Sequence, residues 1–421
     1  MDGGDDEVGV RRGTARMLTG LLKASHLCAL EEVPPLVTEY AAHAGLGEVL
    51  IYLADLQQEV LRLLTGHGKD AGGETDGHAA ELRIDATLAG RGFQESRVLF
   101  HRAGGDDEAG QGHWWMPLLD GTERLGVLRV EAPADIGEEG QETMRALAAA
   151  VALIVASKRA HSDSYARLVR TRRMHVAAEM QWKLTPPLTF ANTEVVISAA
   201  LEPAYEVGGD AFDYAVGGDL VHLGIFDAMG HDVSAGLTAS LALAACRNNR
   251  RQGMDLAANS ETIEKVLIAE FGRATRFVTA VLAELHVPTG MLTWINRGHY
   301  PPVVIRGGRA ITTLGCPPAH PMGLDFGLPV TLCREQLQPG DRVLFYTDGI
   351  TEARNRTGQE FGLQRFVDFI VRHHSDGLPV SETLRRLIHH VLRYHDGRLQ
   401  DDATVLMVEW HGSAYRRLTP N

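Results

Sequence analysis

The chain has 421 residues, enough for two or three domains of ordinary size. Its formal net charge of −13 disfavours nucleic acid and anionic membranes as partners, because both are negatively charged. No apolar run reaches the ~18 residues of a membrane helix, and the acidic, polar N-terminus does not resemble a secretory signal. The cysteines lack CxxC spacing: Cys28, Cys246, Cys316 and Cys333. The sequence therefore predicts a cytoplasmic protein and disfavours disulfides and thiolate metal sites.

The first part of the chain is predicted to be a small mixed α/β domain that follows a tail. We expect residues 1–12 to be disordered and the domain to occupy residues 13–140. Its apolar patterns predict helices over 17–30 and 36–44, and strands over 48–54, 60–64, 115–118 and 125–130. The last two strands form a hairpin, because Asp120-Gly121 supplies turn residues between them.

Residues 141–185 contain no glycine or proline and are predicted to be a long helical linker, with Ser162-Asp163-Ser164 as a candidate break. Apolar residues recur at spacings of three and four, as on one helix face: Met144, Leu147, Val151 and Ile154. This face has two interpretations. It pairs with the same helix of a second copy as a coiled coil, or it packs on the N-terminal domain. We predict the first, and therefore a homodimer.

Residues 186–412 are predicted to be a second domain of the α+β class, followed by a tail at 413–421. Strands are predicted over 194–201, 220–226, 279–285, 291–295, 302–306, 342–346 and 403–409, and helices over 235–247, 261–271, 363–372 and 381–394. Hairpin-length connections join several neighbouring strands. They favour antiparallel sheets covered by helices over a doubly wound parallel sheet.

Acidic residues of this second domain stand at the ends of apolar strands. Asp210 follows two glycines in EVGGDAFDYA, and Asp227 ends the strand of GIFDAMG. Asp348 follows the strand of VLFYTDGITEA, whereas Asp401 and Asp402 directly precede the last strand in LQDDATVLMV. Strand ends hold carboxylates at fixed separations, and the mutual repulsion of these groups falls when a divalent cation lies among them.

Such carboxylates predict a candidate two-metal phosphohydrolase site. Oxygen ligands without accompanying His or Cys suit Mg²⁺ or Mn²⁺ better than Zn²⁺. Two such ions ~3.5–4 Å apart activate a water molecule and hold a phosphoryl group. The alternative is that Asp and Gly at strand ends are ordinary turn residues. The residue pattern alone leaves both interpretations open.

Six segments occur in order between residues 206 and 408: EVGGDAFDYA, DAMGHDVSAGLTA, NRGHYPPVVI, PMGL, LQPGDRVLFYTDGITEARNRTGQEFG and DDATVLMV. Together they resemble the PP2C-like, SpoIIE/RsbU-type bacterial serine/threonine phosphatases. The resemblance implies a C-terminal α/β/β/α sandwich with two Mn²⁺ or Mg²⁺ ions at one edge. It also implies direct hydrolysis of phosphoserine or phosphothreonine, without a phosphoenzyme.

The resemblance assigns roles to the metal-ligand candidates. It implies that Asp227 bridges both ions and that the main-chain carbonyl of Ala228 binds one of them. Asp348 would bind the other ion together with Asp401, for which Asp402 is the alternative.

Further positions have catalytic or accessory roles in this resemblance. Asp210 would hold a metal-bound water and act in catalysis with the bridging aspartate. Gly349, His231 and His299 are accessory candidates. Arg297 stands where a small residue is usual; it contacts substrate phosphate or, in the interpretation we favour, is exposed to solvent.

Two residues depart from the family pattern. Asp232 occupies the last glycine position of D-x-x-G-H-G, and Ala228 stands where glycine is frequent. A carbonyl ligand survives the second change, because it belongs to the main chain. The first adds negative charge near the metals, and we expect it to weaken or tune activity.

The N-terminal domain more weakly resembles a GAF sensor domain, on LLKASHLCALEEV, VLIYLAD and WWMPLLDGTERLGVLRVE. The two resemblances together imply a metal-dependent phosphatase regulated by an unidentified signal at the sensor. Its implied substrate is a phosphorylated anti-anti-sigma (STAS) protein in a partner-switching pathway that controls a sigma factor. The alternatives are a non-catalytic signalling scaffold of the same fold and a two-metal hydrolase of small phosphate esters.

Overall fold

A computed structural model describes residues 3–66, 77–102, 112–206, 208–230, 232–308, 310–374, 378–395, 399 and 401–412. The chain forms two compact units, Met1–Arg172 and Arg173–Asn421. The predicted tail at 413–421 lies outside the described residues. No helix in the described ranges has the length and hydropathy of a membrane span.

The first unit is an antiparallel sheet covered by helices. Its helices are α1 (Gly3–Ser25), α2 (Val33–Ala41), α3 (Leu88–Glu95), α4 (Gly137–Arg159) and α5 (Asp163–Val169). Its strands are β1 (Val49–Ala54), β2 (Val60–Leu64), β3 (Glu81–Arg83), β4 (Leu99–Arg102), β5 (Gly112–Asp120) and β6 (Glu123–Glu131). They form one sheet in the order β3-β2-β1-β6-β5-β4. Successive β1 residues alternate between two cores, because Ile51 and Leu53 face one and Tyr52 the other.

The structure differs from the predicted linker over residues 141–185. Met144, Leu147, Val151 and Ile154 of α4 are buried in the core of the first unit, so the apolar face packs on its own domain. The helical stretch is also broken: α4 ends at Arg159, and α5 has its N-cap at Ser162, at the predicted break. The boundary between the units falls at residues 172 and 173. The apolar face therefore gives no support to a coiled coil, and the homodimer stays a prediction.

The N-terminal segment also differs from its prediction. Helix α1 begins at Gly3, whereas residues 1–12 were expected to be disordered. The helix that buries Met17 and Leu21 in the core extends toward the N-terminus because no proline interrupts it.

The second unit contains the remaining elements. Its helices are α6 (Val176–Leu184), α7 (Val233–Arg251), α8 (Leu256–Phe271), α9 (Asp348–Thr351), α10 (Gly362–His374) and α11 (Val380–Tyr394). Its strands are β7 (Thr189–Ala191), β8 (Val195–Glu202), β9 (Asp210–Gly217), β10 (Leu220–Ala228), β11 (Val278–His286), β12 (Met291–Arg297), β13 (Val303–Arg306), β14 (Ala310–Thr313), β15 (Cys333–Gln336), β16 (Asp341–Tyr346) and β17 (Ala403–Trp410).

These strands form two antiparallel sheets, β15-β12-β11-β10-β9 and β14-β13-β16-β17-β8-β7. A core of side chains from both sheets lies between them, among them Phe212, Ile225 and Phe345. A second core packs α7 and α8 against the five-stranded sheet, and a third packs α10 and α11 against the six-stranded sheet. The layers are therefore helix, sheet, sheet and helix, which confirms the predicted sandwich.

The cysteines correct one prediction. Cys316 and Cys333 are joined by a disulfide, although the sequence disfavours one. Their partnership depends on tertiary structure: β15 carries Cys333 to the edge of its sheet, beside the loop that contains Cys316. Spacing of 17 residues along the chain gives no local signal of this contact. Cys28 and Cys246 are free.

Candidate metal centre

Strand alternation brings polar residues together at one end of the inter-sheet core. Leu223 and Ile225 of β10 lie in that core, so Asp227, two residues further on, follows on the same side of the strand. The same relation places Asp210 two residues before Phe212 on β9, and Thr347 two residues after Phe345. The core therefore ends in carboxylates and hydroxyls.

Asp210 and Asp227 face each other directly across β9 and β10. Directly opposed like charges are unfavourable in a sheet. Burial raises the pKa of Asp227 to about 7, and the carboxylates of Asp348, Asp401 and Asp402 add to the effect. Burial, with the neighbouring carboxylates Asp402 and Asp227, also raises the pKa of Asp210 well above its ordinary value. The predicted acids therefore converge.

Thr347 holds Asp210 and was not predicted from the sequence. Its hydroxyl donates to Asp210 Oδ2 at 2.6 Å and accepts from the main-chain N–H of Thr404 at 2.9 Å. Thr347 is fully buried, and Asp210 is 3% exposed. The only sequence signal was its position directly before Asp348, at the end of a buried strand.

Asp348 begins the short helix α9 immediately after β16. Burial raises the pKa of Asp348, and the nearby carboxylates of Asp401 and Glu352 contribute. The predicted accessory residue Gly349 has a structural reason to be glycine. A Cβ atom there would lie 2.0 Å from the main-chain oxygen of Asp402, so only glycine lets α9 approach the start of β17.

Asp401 and Asp402 have different environments, which distinguishes the two alternatives. Asp402 is 4% exposed, and its Oδ2 accepts three main-chain N–H groups, from Gly208, Gly209 and Asp210, at 2.9, 2.6 and 3.2 Å. Asp401 is exposed and accepts only the N–H of Asp402 among the described contacts. Asp402 therefore anchors the loop before β9, and Asp401 keeps a carboxylate available for an ion.

The anchored loop also fixes Ala228. The N–H of Ala228 donates to the Gly209 carbonyl at 2.9 Å. A Cβ atom on Gly209 would lie 2.7 Å from the Ala228 carbonyl oxygen and 2.5 Å from that of Gly230. Glycine at 209 therefore allows the loop to pack against the predicted main-chain ligand.

The donor set fits hard divalent cations. No ion pair of the described residues includes Asp210, Asp227, Asp348 or Asp401, so their charges converge without a compensating Arg or Lys. Carboxylate and carbonyl oxygens are the ligands that Mg²⁺ and Mn²⁺ prefer. Within the described ranges, however, no three ligand side chains already adopt the geometry of a metal site. A bound cation would lower the mutual repulsion of these carboxylates.

Asp232 has a structural role that explains the departure at this position. It is the N-cap of α7, and its Oδ1 accepts the N–H of Ala235 at 2.9 Å. Its side chain is 62% exposed and lies 4.0 Å from Arg276. Its charge is therefore directed to the helix terminus and to solvent. His231, predicted as accessory, lies outside the described residues.

Arg297 corrects the expectation of a solvent-exposed arginine. It is 1% exposed, donates to Glu264 at 2.6 Å and to the His320 carbonyl at 2.9 Å. Alternation along β12 explains this: Trp294 lies in the inter-sheet core and Ile295 on the helix side, so Arg297 also faces α8. It cannot serve as a phosphate contact at the carboxylate end. Asp213 is likewise on the helix side, paired with Arg247 and Arg250 at 2.7 Å.

His299 lies close to the carboxylates, but its described ring hydrogen bonds go to other groups. It is 7% exposed, with Nδ1 2.8 Å from Thr279 Oγ1 and Nε2 3.1 Å from the Tyr346 carbonyl. Burial lowers the pKa of His299 to about 4, so the ring is neutral. Thr279 is the β11 cross-strand partner of Asp227. The role of Thr279 was not predicted from the sequence.

Comparison with known proteins finds similarity in the second unit. The family model described as Stage II sporulation protein E (SpoIIE) matches residues 217–411. Protein IcfG of Synechocystis sp. is 27% identical over 241 residues, which cover 50% of this chain and 37% of that protein. The chain thus spans little more than a third of IcfG.

Two further matches extend over more than two thirds of the matched protein or domain. Phosphoserine phosphatase RsbU of Bacillus subtilis is 22% identical over 242 residues, which cover 56% of this chain and 69% of RsbU. The solved SiaA-PP2C domain of Pseudomonas aeruginosa is 21% identical, with a TM-score of 0.47, and the match covers 55% of this chain and 94% of that domain. Residues 217–411 are thus similar to the SpoIIE family.

Proposed function

We propose that this chain is a metal-dependent protein serine/threonine phosphatase whose carboxylate cluster holds two Mn²⁺ or Mg²⁺ ions. The supporting observation is the convergence of Asp210, Asp227 and Asp348, whose pKa values are raised by burial and by neighbouring carboxylates. A protein gains nothing in stability from such a cluster, because each charge repels the others in a poorly solvated site. Its retention is best explained by a ligand of opposite charge.

The residues of the cluster have distinct proposed roles. Asp227, Asp348, Asp401 and the main-chain carbonyl of Ala228 would hold the ions, and Asp210 would orient water. The bound ions supply Lewis acidity and a water of lowered pKa. Asp402 and Thr347 do not bind ions in this proposal; they hold the main chain and the carboxylate of the β9 segment through the hydrogen bonds given above.

The chemistry has a direct test with a matched control. The full chain with Mn²⁺ is assayed on a generic phosphomonoester, beside Asp227→Asn and Asp232→Asn. Both substitutions remove one carboxylate from the same stretch, but Asn at 232 keeps the N-cap. We expect the first to lose activity and the second to retain it. Activity without metal, or in Asp227→Asn, would contradict the proposal, and loss in Asp232→Asn would assign a further role to that carboxylate.

We propose that the substrate is a phosphoserine or phosphothreonine protein of the anti-anti-sigma (STAS) type. The relative RsbU is named a phosphoserine phosphatase, and the chain matches 69% of its length. Turnover of a phosphorylated STAS protein is to be compared with turnover of small phosphate esters. Preference for the small esters favours the alternative hydrolase. Binding of the protein without turnover or Mn²⁺ occupancy favours the scaffold.

The first unit is proposed to be a GAF-like sensor that regulates the phosphatase. Its six-stranded sheet with helices on both faces supplies the scaffold for such a role. Light scattering of the full chain tests the predicted homodimer, because a dimer has twice the mass of 45.8 kDa. A monomeric mass would contradict it.

A further inference from the structure

The candidate ligands belong to two different sheets. Asp227 and Ala228 end β10 of the five-stranded sheet, whereas Asp348 and Asp401 flank β16 and β17 of the six-stranded sheet. Elsewhere apolar side chains fill the space between the sheets and set their separation. At this end the core gives way to carboxylates that repel one another. At this end, polar contacts across the sheets replace apolar packing between the two halves of the ligand set.

His299 makes such a contact. Its Nδ1 lies 2.8 Å from Oγ1 of Thr279, the cross-strand partner of Asp227, and its Nε2 lies 3.1 Å from the carbonyl of Tyr346. Tyr346 is the last residue of β16, two residues before Asp348. One imidazole ring thus connects the strand pair that carries Asp227 to the strand that leads to Asp348.

The main chain of His299 is itself fixed. The Asn296 amide donates to the His299 carbonyl and accepts the His299 N–H, both at 2.8 Å, and Asn296 is 4% exposed. Gly298 between them has φ +72°, a left-handed conformation that suits glycine. The ring is therefore held by three separate elements, the β12 end, Thr279 on β11 and Tyr346 on β16.

The two ring nitrogens have different hydrogen-bonding roles. A main-chain carbonyl only accepts, so Nε2 carries the ring proton and donates it to Tyr346. Nδ1 is then the acceptor and receives the Thr279 hydroxyl proton. This assignment predicts which substitutions preserve each half of the contact. Asparagine retains an acceptor near the Nδ1 position but does not reach Tyr346, and Thr279→Val keeps the shape of threonine without its hydroxyl.

We propose that His299 is a positioning residue that fixes the separation between the Asp227 and Asp348 halves of the metal site, acting through Thr279 and the Tyr346 carbonyl. This inference rests on the proposed function, since it concerns the same two-ion site. In this role His299 contacts neither the substrate nor the ions. The role goes beyond orientation of one ligand, because the ring joins both sheets.

The test measures metal binding apart from catalysis. Mn²⁺ titration by calorimetry and by EPR, whose coupled two-ion signal depends on Mn–Mn separation, is performed on the full chain and on His299→Asn, Thr279→Val and Thr279→Ser. Loss of a residue that orients metal ligands typically lowers metal affinity ~10–100-fold. We expect such a loss, with a weakened two-ion signal, in the first two variants and near wild-type behaviour in Thr279→Ser.

His320→Asn is the matched control. His320 is also a buried histidine of this domain, 6% exposed, but its ring bonds Glu264 on the helix side at 2.9 Å. We expect its Mn²⁺ binding and EPR signal to remain those of the wild type. Equal losses in this control would overturn the inference, because they would indicate general destabilisation.

The remaining outcomes separate this inference from the proposed function. Wild-type affinity and EPR signal in both His299→Asn and Thr279→Val would overturn the positioning role and leave the phosphatase intact. Absence of Mn²⁺ binding in the wild type, or its full retention in Asp227→Asn, would overturn the function itself. If His299→Asn does not fold, Thr279→Val decides the matter, since it removes only the hydroxyl on one side of the ring.

Discussion

Substitution of Asp227 by asparagine should stabilise the metal-free protein at high pH, even though it removes a proposed catalytic residue. Burial raises the pKa of Asp227 to about 7 from the ordinary aspartate value of 3.8. The groups that face it are Asp210 across the strand pair, the acids Asp348, Asp401 and Asp402, and the neutral Thr279. All the charged groups among them are carboxylates, so they oppose its ionisation.

The direction and size of the expected stability change follow from the linkage between proton binding and folding. Between the two pKa values the folded state binds more protons at this site than the unfolded state, so the free energy of unfolding falls as pH rises. The rise in the pKa of Asp227 from 3.8 to about 7 corresponds to about 4 kcal/mol of unfolding free energy, at about 1.4 kcal/mol per pKa unit. This loss begins near pH 4 and is complete above pH 7. Asparagine does not titrate, so the variant should exceed the wild type by about 4 kcal/mol at pH 8 and by little at pH 4.

Differential scanning calorimetry of the chelator-treated full chain at pH 5 to 8 measures this difference. For a unit of this size, ~4 kcal/mol raises the melting temperature by roughly 8–16 °C. Asp232→Asn is the control, because its carboxylate is exposed and caps a helix; its melting temperature should follow that of the wild type. Identical pH dependence in Asp227→Asn and the wild type would refute the convergence of carboxylates at this site. Mn²⁺ should reverse the order, since it stabilises only a protein that binds it.

Two further predictions concern residues whose roles the structure reassigns. Arg297→Met should destabilise the protein by about 3–5 kcal/mol, because the buried carboxylate of Glu264 loses its arginine partner. Urea denaturation measures the free energy of unfolding, and adding Glu264→Leu should restore it. A large rise in KM with unchanged stability would instead indicate that Arg297 contacts substrate. Asp402→Ala should lower the free energy of unfolding by about 1–3 kcal/mol by leaving main-chain N–H groups unpaired. Asp401→Ala should leave stability unchanged and raise the Mn²⁺ concentration required for activity; the reverse pattern would exchange the two roles.

The sequence was most informative where strand periodicity and local motifs coincide. The strands β10, β11 and β16 were predicted within a few residues, and with them the position of Asp227 and Asp348 at one edge of the sandwich. Residues whose function depends on which side of a strand they face were harder to place. Arg297 was interpreted as exposed because its partner Glu264 lies 33 residues away on α8. The linker prediction failed for a similar reason, since an apolar helix face does not reveal whether its partner is another chain or the preceding domain.

Hydrogen bonds from the main chain and from neutral side chains explain how the protein tolerates a cluster of carboxylates. Asp402 is itself an acid, yet three N–H groups satisfy its Oδ2, so its charge holds the loop before β9 in place. Thr347 and His299 are neutral and use hydrogen bonds to hold groups on both sheets. None of these contacts supplies positive charge, so they fix positions without neutralising the site. The free energy of carboxylate repulsion is therefore retained in the folded protein, where a divalent cation of the proposed kind would relieve it.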